Sequence, residues 1–403
     1  MAQYDIKLEA EGLVDLLSNN DKFTQLTETI INQVLDAQMT EHLSAEPYAR
    51  SELRSGYRNG YRVRNLYTRV GHLNLRVPQT RDGSFSTEIF RRYQRKEQAF
   101  VLGLMEMYLE GVSTRKVAKV TEALCGVTFS KSTVSELATE LDAKVSSFKN
   151  RRLDEQKYPF VIVDALVIKC RANNIVRAMS ILVAYGVNKD GYREILGLWL
   201  GDSETESTWS TLFKDLKSRG LEGVDLVVSD SHTGLVKALR KHFQGAAWQR
   251  CQVHFMRNIL GHTSLKNRKE MAEHLKTVLY AYDIETAKKL TNDFISKFET
   301  KAPKSVACFE EGIDDALTIL AYPLKYRQRL RTSNMAERVN EEIRRREKVV
   351  RIFPNEESAI RLIGSLLADC HDKWISDDRY LTMEEYNEWG KQIKNETKQV
   401  ISF

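Results

Sequence analysis

Three acidic residues stand in three different local settings, and their chemistry is that of a metal site. Asp164 interrupts an apolar run, Asp230 ends a second apolar run, and Glu337 lies near the start of a basic segment. Mg²⁺ prefers oxygen ligands, and two such ions about 4 Å apart can activate the attacking oxygen and stabilise the leaving oxygen in phosphoryl displacement. In a chain of net charge +6, the three acids predict a site that holds two Mg²⁺ ions against DNA phosphates. We expect Mn²⁺ to substitute for Mg²⁺.

Each acid also has a purely structural interpretation. A lone carboxylate inside an apolar strand is costly unless it is paired or metal-bound, so a metal role is favoured for Asp164, which we expect to bridge both ions. Asp230 precedes a helix and is equally well explained as its cap. Glu337 fits a capping-box-like arrangement begun by Asn334, although the apolar positions of that helix lie on another face.

Two further motifs accompany the acids. Three consecutive arginines, Arg344, Arg345 and Arg346, follow Glu337 by two helical turns. They are predicted to bind DNA phosphates; the alternative is a solvated face paired with neighbouring glutamates. Because consecutive residues point in different directions around a helix, at most two of the three are expected to touch DNA.

Cys251 and His254 have the spacing of a metal-ligand pair. A structural zinc site needs four ligands, and no second pair follows at a suitable spacing. We therefore favour a hydrogen-bonded pair with a structural or auxiliary role.

The elements that would position these residues form a helix-rich, multidomain α/β chain. Strands are predicted at 158–170, 177–188, 193–201, 224–230 and 246–254, with a helix at 207–219 and another after the fourth strand. Short links come first and βα alternation follows, which indicates a mixed sheet in the order of an RNase H-like domain. The predicted core covers 151–255, with the catalytic helix and C-terminal helices at 332–403.

Three apolar stripes at helical spacing predict an all-helical insertion at 256–331. The stripes are Met271, Leu275 and Val278; Ala287, Leu290, Phe294 and Phe298; and Val306, Phe309, Ile313 and Leu317.

The first 150 residues are predicted to form three regions. Residues 1–54 are predicted to be helical, for packing or dimerisation, with a buried stripe of Phe23, Leu26, Ile30, Val34 and Ala37. Residues 55–96 alternate arginines and tyrosines between turn glycines, which predicts a small basic β-unit. That unit is either a phosphate-contacting ribbon or an ordinary solvated sheet face.

Residues 97–150 resemble a helix-turn-helix, whose second helix enters the major groove of DNA. A plain helical linker is the alternative. The predicted DNA-binding residues of this region are Arg115, Lys116, Lys119, Lys131, Ser132 and Thr133.

Length and composition limit the number of domains and the class of protein. A chain of 403 residues with 42% hydrophobic residues has enough apolar material for two to four folded domains. It has no apolar run of about 18 residues and no signal-peptide pattern, so no membrane span is expected. Its five cysteines are scattered, which favours a reducing cytosol over a disulfide framework.

Together, four segments resemble the Mutator-type transposases of bacterial insertion sequences, members of the wider DDE group. The segments are 163–169 (VDALVIK), 229–235 (SDSHTGL), 250–258 (RCQVHFMRN) and 332–346 (TSNMAERVNEEIRRR). The resemblance covers nearly the whole chain. It places the family's catalytic acids on Asp164, Asp230 and Glu337, and its cysteine–histidine pair on Cys251 and His254. Ser333 departs from the threonine of many relatives.

The resemblance implies an RNase H-like catalytic domain interrupted by a helical insertion. It implies a homodimer that binds double-stranded DNA at terminal inverted repeats and at the target. It also implies 3′-end cleavage by metal-activated water, followed by strand transfer, in a bacterial cytoplasmic protein that joins the nucleoid when bound to DNA. Two alternative hypotheses for the function are a structure-specific nuclease and a DNA-binding regulator. The nuclease is disfavoured by the length of the chain and the regulator by the intact acidic triad.

Overall fold

The computed structural model describes residues 20–49, 54–68, 70–87, 131–172 and 175–401, and the single residues 89, 104, 107, 119 and 122. The chain is a helix-rich mixture of helices and two sheets, and it divides into two compact units, Met1–Thr139 and Glu140–Phe403. No helix in these ranges is long and apolar enough to cross a membrane.

The first unit contains a helix and a hairpin. Helix α1 spans Asn20–Leu43, and strands β1 (Arg58–Thr68) and β2 (Gly71–Thr80) pair antiparallel. The predicted strands of this region are therefore confirmed. Side chains of β1 are mostly exposed, whereas those of β2 alternate and pack against α1.

The buried face of α1 differs from the predicted one. Leu35 and Met39 are fully buried and Ile31 packs beside them, whereas Phe23 of the predicted stripe is 39% exposed. Each step along a helix rotates the side chain by about 100°, so a shift of one residue selects a different face. The choice is made by contacts with β2, which lies outside the helical segment.

The second unit is built around a five-stranded sheet. Its strands are β3 (Phe160–Ala172), β4 (Ile175–Val187), β5 (Arg193–Gly201), β6 (Leu226–Ser229) and β7 (Ala247–Arg250). Their order is β5-β4-β3-β6-β7, so β3 is central. Strand β4 is antiparallel to β3 and β5, and β6 is parallel to β3 and β7.

Helices cover both faces of this sheet. Helices α3 (Glu206–Ser218) and α4 (Thr233–His242) enclose an apolar core on the face that includes Val161 and Val163. Side chains alternate along a strand, so Asp164 lies on the opposite face. That face is covered by α10 (Asn334–Val350) and α11 (Glu356–Ser376), both of which contact β3. Helix α2 (Lys131–Asn150) precedes β3.

The segment between β7 and α10 is helical, as predicted. Its helices are α5 (Gln252–Gly261), α6 (Leu265–Leu279), α7 (Ile284–Phe298), α8 (Pro303–Leu317) and α9 (Leu324–Leu330), with a 3₁₀ turn at Thr318–Ala321; α12 (Glu384–Ile401) ends the described chain. The three predicted stripes pack together in one core.

The predicted strand at 246–254 is too long. Strand β7 ends at Arg250 and α5 begins at Gln252. The backbone N–H of Cys251 makes the last sheet bond, to the Ser229 carbonyl at 2.7 Å, and its carbonyl accepts the N–H of Phe255 at 2.9 Å. The segment changes from strand to helix within two residues, and this is too short for a local period to mark the change.

Candidate active site

Asp164 and Asp230 lie level with each other on neighbouring chain segments. The parallel strands β3 and β6 are paired so that Ile162 stands opposite Val228, and each acid is two residues further along. The two carboxylates are close enough that the charge of Asp230 raises the pKa of Asp164. The structure therefore brings the first two predicted acids together beside the central strand.

Burial is the main influence on the Asp164 carboxyl and raises its pKa to about 6. The backbone of Ala165, the imidazole of His254 and the side-chain amide of Asn340 act in the opposite direction. Nδ2 of Asn340 donates to Oδ2 of Asp164 at 2.7 Å. The protein surroundings alone disfavour the ionised form of this carboxylate. A bound cation would stabilise that form.

Asp230 does not cap helix α4, so the capping interpretation is wrong. The N-cap of α4 is His232, whose backbone N–H donates to Oδ1 of Asp230 at 3.2 Å. Glu204 lies close by: burial, and then the charge of Asp230, raises its pKa. Nδ1 of His232 is 3.9 Å from Oε2 of Glu204. The Asp230 carboxylate therefore has a second acidic neighbour.

Helix α10 carries Glu337 across the central strand. The bond from Asn340 to Asp164 and a bond from Nη1 of Arg344 to the Val167 carbonyl, at 2.7 Å, hold α10 along β3. Glu337 is half-buried in the first turn of α10, three residues before Asn340. Residues three apart share one side of a helix, so Glu337 lies on the side of α10 that approaches Asp164.

The convergence of all three acids stays a prediction. Within the described ranges, no three acidic, histidine or cysteine side chains are grouped closely enough to hold a metal ion. The acids that interact are Asp164 and Asp230, and Glu337 belongs to the helix that covers this face of the sheet.

The start of α10 is tied to the end of β7. The backbone N–H and the hydroxyl of Ser333 both donate to Sγ of Cys251 at 3.4 Å, and the N–H of Gln252 donates to the Arg331 carbonyl at 3.0 Å. Ser333 is the N-cap of α10 but makes no side-chain cap bond. The predicted capping box from Asn334 is therefore wrong, because the helix already begins at that residue.

His254 links Cys251 to the acidic pair. Burial opposes ionisation of the Cys251 thiol, but hydrogen bonds from His254 and Ser333 lower its pKa below the usual value. Hydrogen bonding to Cys251 raises the pKa of His254 against the effect of burial, and the charge of Asp164 adds to the rise. The cysteine–histidine pair is therefore part of the surroundings of Asp164.

A profile of the family described as "Transposase, Mutator family" matches residues 2–377 of this chain. The chain belongs to this family. The transposase for insertion sequence element IS256 in transposon Tn4001 of Staphylococcus aureus is 44% identical over 92% of this chain and 95% of that protein. The ISRM5 transposase of Rhizobium meliloti is 43% identical over 93% and 94%. The IS1081 transposase of Mycobacterium tuberculosis is 37% identical over 90% and 88%.

The three consecutive arginines of this Mutator-family chain have different surroundings. Arg344, besides its bond to β3, pairs with Glu347 at 2.6 Å. Arg346 has only 5% of its side chain exposed and pairs with Glu342. The side chain of Arg345 is 56% exposed and lies 3.2 Å from Glu342. Of the three guanidinium groups, that of Arg345 is the most accessible to a phosphate.

The other predicted DNA-binding residues belong to the first unit. Arg115 and Lys116 fall outside the described residues, and Lys119 is an exposed helical residue. Helix α2 begins at Lys131, so Lys131, Ser132 and Thr133 form its first turn, with side chains outside the described set.

Sequence reasoning missed three residues around the acids. Asn340 follows Glu337 by three residues, the spacing of one helix face, and this spacing was a usable signal. No local sequence signal marks Ser333 or Glu204, because each acts through a partner that is distant in sequence. Ser333 bonds to Cys251, and Glu204 lies near Asp230.

We expect Cys251→Ala to lower the free energy of unfolding by about 1–3 kcal/mol, because the buried N–H and hydroxyl of Ser333 lose their acceptor. A less firmly held start of α10 should also slow DNA cleavage. Urea unfolding and a rate assay on the same preparation measure both effects. Cys308→Ala, at a partly exposed position, is the matched control. Unchanged stability with lost activity would contradict an anchoring role for Cys251.

Proposed function

We propose that this Mutator-family chain cleaves DNA at the ends of an insertion sequence and joins the freed 3′ ends to a target strand. The observation that supports this most strongly is the level placement of Asp164 and Asp230, with α10 bonded over Asp164 through Asn340. Relatives that match this chain over nearly their whole length are named as transposases for insertion sequence elements.

The donor set fits Mg²⁺. Carboxylate oxygens are the ligands this ion prefers. Two neighbouring carboxylates, one of which is disfavoured in its charged form, would be stabilised by a shared cation. In the proposal Asp164, Asp230 and Glu337 are the residues that would hold the ions. Bound Mg²⁺, or Mn²⁺ in its place, would ease deprotonation of the attacking oxygen and stabilise the leaving oxygen.

The other residues act by orientation. Asn340 fixes the orientation of the Asp164 carboxylate by donating a hydrogen bond to Oδ2. The other oxygen, Oδ1, takes no part in this bond. The bonds from Ser333 to Cys251 position the first turn of α10, and hence Glu337, over the sheet. In cleavage, water attacks phosphorus, the P–O bond to the 3′ oxygen breaks and that oxygen leaves as a 3′ hydroxyl. In joining, this 3′ hydroxyl attacks a target phosphate, and the P–O bond to the target strand's own 3′ oxygen breaks to release a new 3′ hydroxyl.

The sheet supports an RNase H-like assignment for the core. Three antiparallel strands are followed by two that run parallel to the central one, with a helix after β5 and another after β6. The helical segment between β7 and α10 would then be an insertion between the second and third acids.

The DNA partners and the assembly follow from the same proposal. Terminal inverted repeats come in two copies, so a homodimer would hold one end in each subunit. A helix-turn-helix at 97–150 would read the repeats, and Arg345 would contact a phosphate beside the acids.

The test uses purified protein and the DNA that flanks its own gene, incubated with Mg²⁺ and sequenced for new strand ends. We expect 3′ ends at an inverted repeat and joined products. Asp230→Asn should form neither. Cleavage without joining would favour a structure-specific nuclease, and binding without cleavage a DNA-binding regulator.

A further inference from the structure

A second site of distinctive chemistry lies on another face of α10. A pocket of about 670 Å³ is formed by the start of β5, the end of α9, α10, the C-terminal part of α11 and the segment after it. Its walls include three arginines, Arg193, Arg329 and Arg338, and two aromatic residues, Trp374 and Tyr380. A volume of this size is typical of sites for small organic groups.

Two of the three arginines, Arg193 and Arg329, contact the aromatic rings. The guanidinium carbon of Arg193 is 4.8 Å from the Trp374 ring centre and 5.1 Å from that of Tyr380. The guanidinium of Arg329 is 4.5 Å from the Tyr380 ring centre. The pKa of Arg193 is lowered, first by burial, and the charges of Arg329 and Arg338 contribute, so the three cations share one electrostatic environment.

Little negative charge within the pocket balances these cations. Arg193 pairs with Asp377 at 3.1 Å, and the Asp377 side chain is 60% exposed. Glu342 also lines the pocket, but its carboxylate is engaged by Arg345 and Arg346. In the part of the chain that the structure describes, neither Arg329 nor Arg338 forms a salt bridge with an acidic side chain.

The backbone holds the aromatic wall in place. The carbonyl of Gly191 accepts the N–H groups of Tyr380 at 2.9 Å and Leu381 at 3.1 Å. Gly191 has a φ of +89°, and a Cβ there would lie 1.9 Å from the Leu381 carbonyl oxygen. Only glycine fits this turn, which keeps Tyr380 close to Arg193. Nε of Arg193 is buried without a hydrogen-bond partner among the described residues.

We infer that this arginine–aromatic pocket binds one unpaired nucleotide of the DNA strand, with its phosphate on Arg329 and Arg338 and its base against Trp374 and Tyr380. Guanidinium groups suit phosphate because they offer several donors in a fixed plane. Aromatic side chains receive unpaired bases by stacking, without a strong sequence preference. The inference rests on the proposed DNA transposase function.

The placement on α10 favours a nucleotide of a strand over a free one. Arg338 and Asn340 are two residues apart and so point to opposite sides of the helix, and Asn340 contacts Asp164. The pocket and the acids are thus separated by roughly one helix diameter, about 10 Å. A strand with one phosphate at Asp164 can place a nearby nucleotide in the pocket.

The experiment measures binding of a fluorescein-labelled five-thymidine strand by anisotropy, in EDTA so that no cleavage occurs. We expect Arg338→Ala and Trp374→Ala to weaken binding by about tenfold or more, the value of a lost charged hydrogen bond or stacked base. Trp374→Phe should keep most of the affinity. Arg268→Ala, which removes an exposed arginine from α6 outside the pocket, should change binding less than about twofold.

Two outcomes would overturn the inference. One is equal single-strand binding by the pocket variants and the Arg268→Ala control. The other is displacement of the strand by thymidine monophosphate at equal concentration, which would identify a free nucleotide as the ligand. Because cleavage plays no part in the measurement, a failure of the proposed transposase activity would not affect its result.

Discussion

Asp164→Asn is expected to lose DNA cleavage and joining by about a thousandfold or more, while resisting unfolding better than the natural protein. Loss of a carboxylate that is proposed to hold the metal ions would remove several kcal/mol of transition-state stabilisation, and each 1.36 kcal/mol is a factor of ten in rate. Asparagine keeps the shape of the side chain and can still accept the bond from Asn340.

The stability gain follows from the raised pKa. Burial and the Asp230 charge move the pKa of Asp164 from 3.8 to about 6, so its ionised form destabilises the fold by up to about 3 kcal/mol at neutral pH. Below pH about 4 the carboxyl is protonated in both the folded and the unfolded chain, and the variant has no advantage. As pH rises from about 4 through 6, the natural protein loses stability relative to the variant.

Urea unfolding in EDTA at pH 4 and pH 7 measures this difference, and His254, Asp230 and Asn340 are the groups whose contacts modulate it. A variant that unfolds like the natural protein at both pH values would show that the Asp164 carboxylate is not penalised by its site. A variant that still cleaves DNA would remove Asp164 from the proposed chemistry.

Glu337→Gln is the second substitution with a large expected effect. It should reduce cleavage by about a hundredfold to a thousandfold, because it would remove one of the carboxylates proposed to hold an ion that contributes several kcal/mol. Stability should change by less than about 0.5 kcal/mol, since the residue is only half-buried and no described contact depends on it. Parallel rate and unfolding measurements test both statements.

Glu341→Gln is the matched control. Glu341 lies one turn further along α10, carries the same charge and is exposed. We expect it to retain activity within about twofold. If Glu341→Gln is the inactive variant and Glu337→Gln is not, the third acid has been assigned one turn too early.

Much of the second unit can be predicted from local sequence patterns. Asp164 stands out because a charge inside an apolar strand needs a partner, and the structure places it on the central strand. The helical segment after β7 was predicted because its apolar stripes repeat at helical spacing and pack together. These features are encoded within windows of 10 to 20 residues, where periodicity is informative.

What the sequence did not reveal depends on contacts between distant segments. Nothing local shows that Arg346 is buried, that the Ser333 hydroxyl bonds to Cys251, or that α1 buries Leu35 rather than Val34. The arginine–aromatic pocket combines residues from β5 to the segment after α11, so no window contains it. Tertiary packing decides each of these cases.

Asp164, Asp230 and Glu337 are proposed to surround the same metal ions. Replacing Mg²⁺ with Fe²⁺ and adding ascorbate and peroxide generates hydroxyl radicals at the metal, which cut the polypeptide nearby. We predict fragments that end close to residues 164, 230 and 337, suppressed by excess Mg²⁺ and absent from Asp164→Asn. Cuts near 164 and 230 without one near 337, or cuts elsewhere, would contradict the three-acid site.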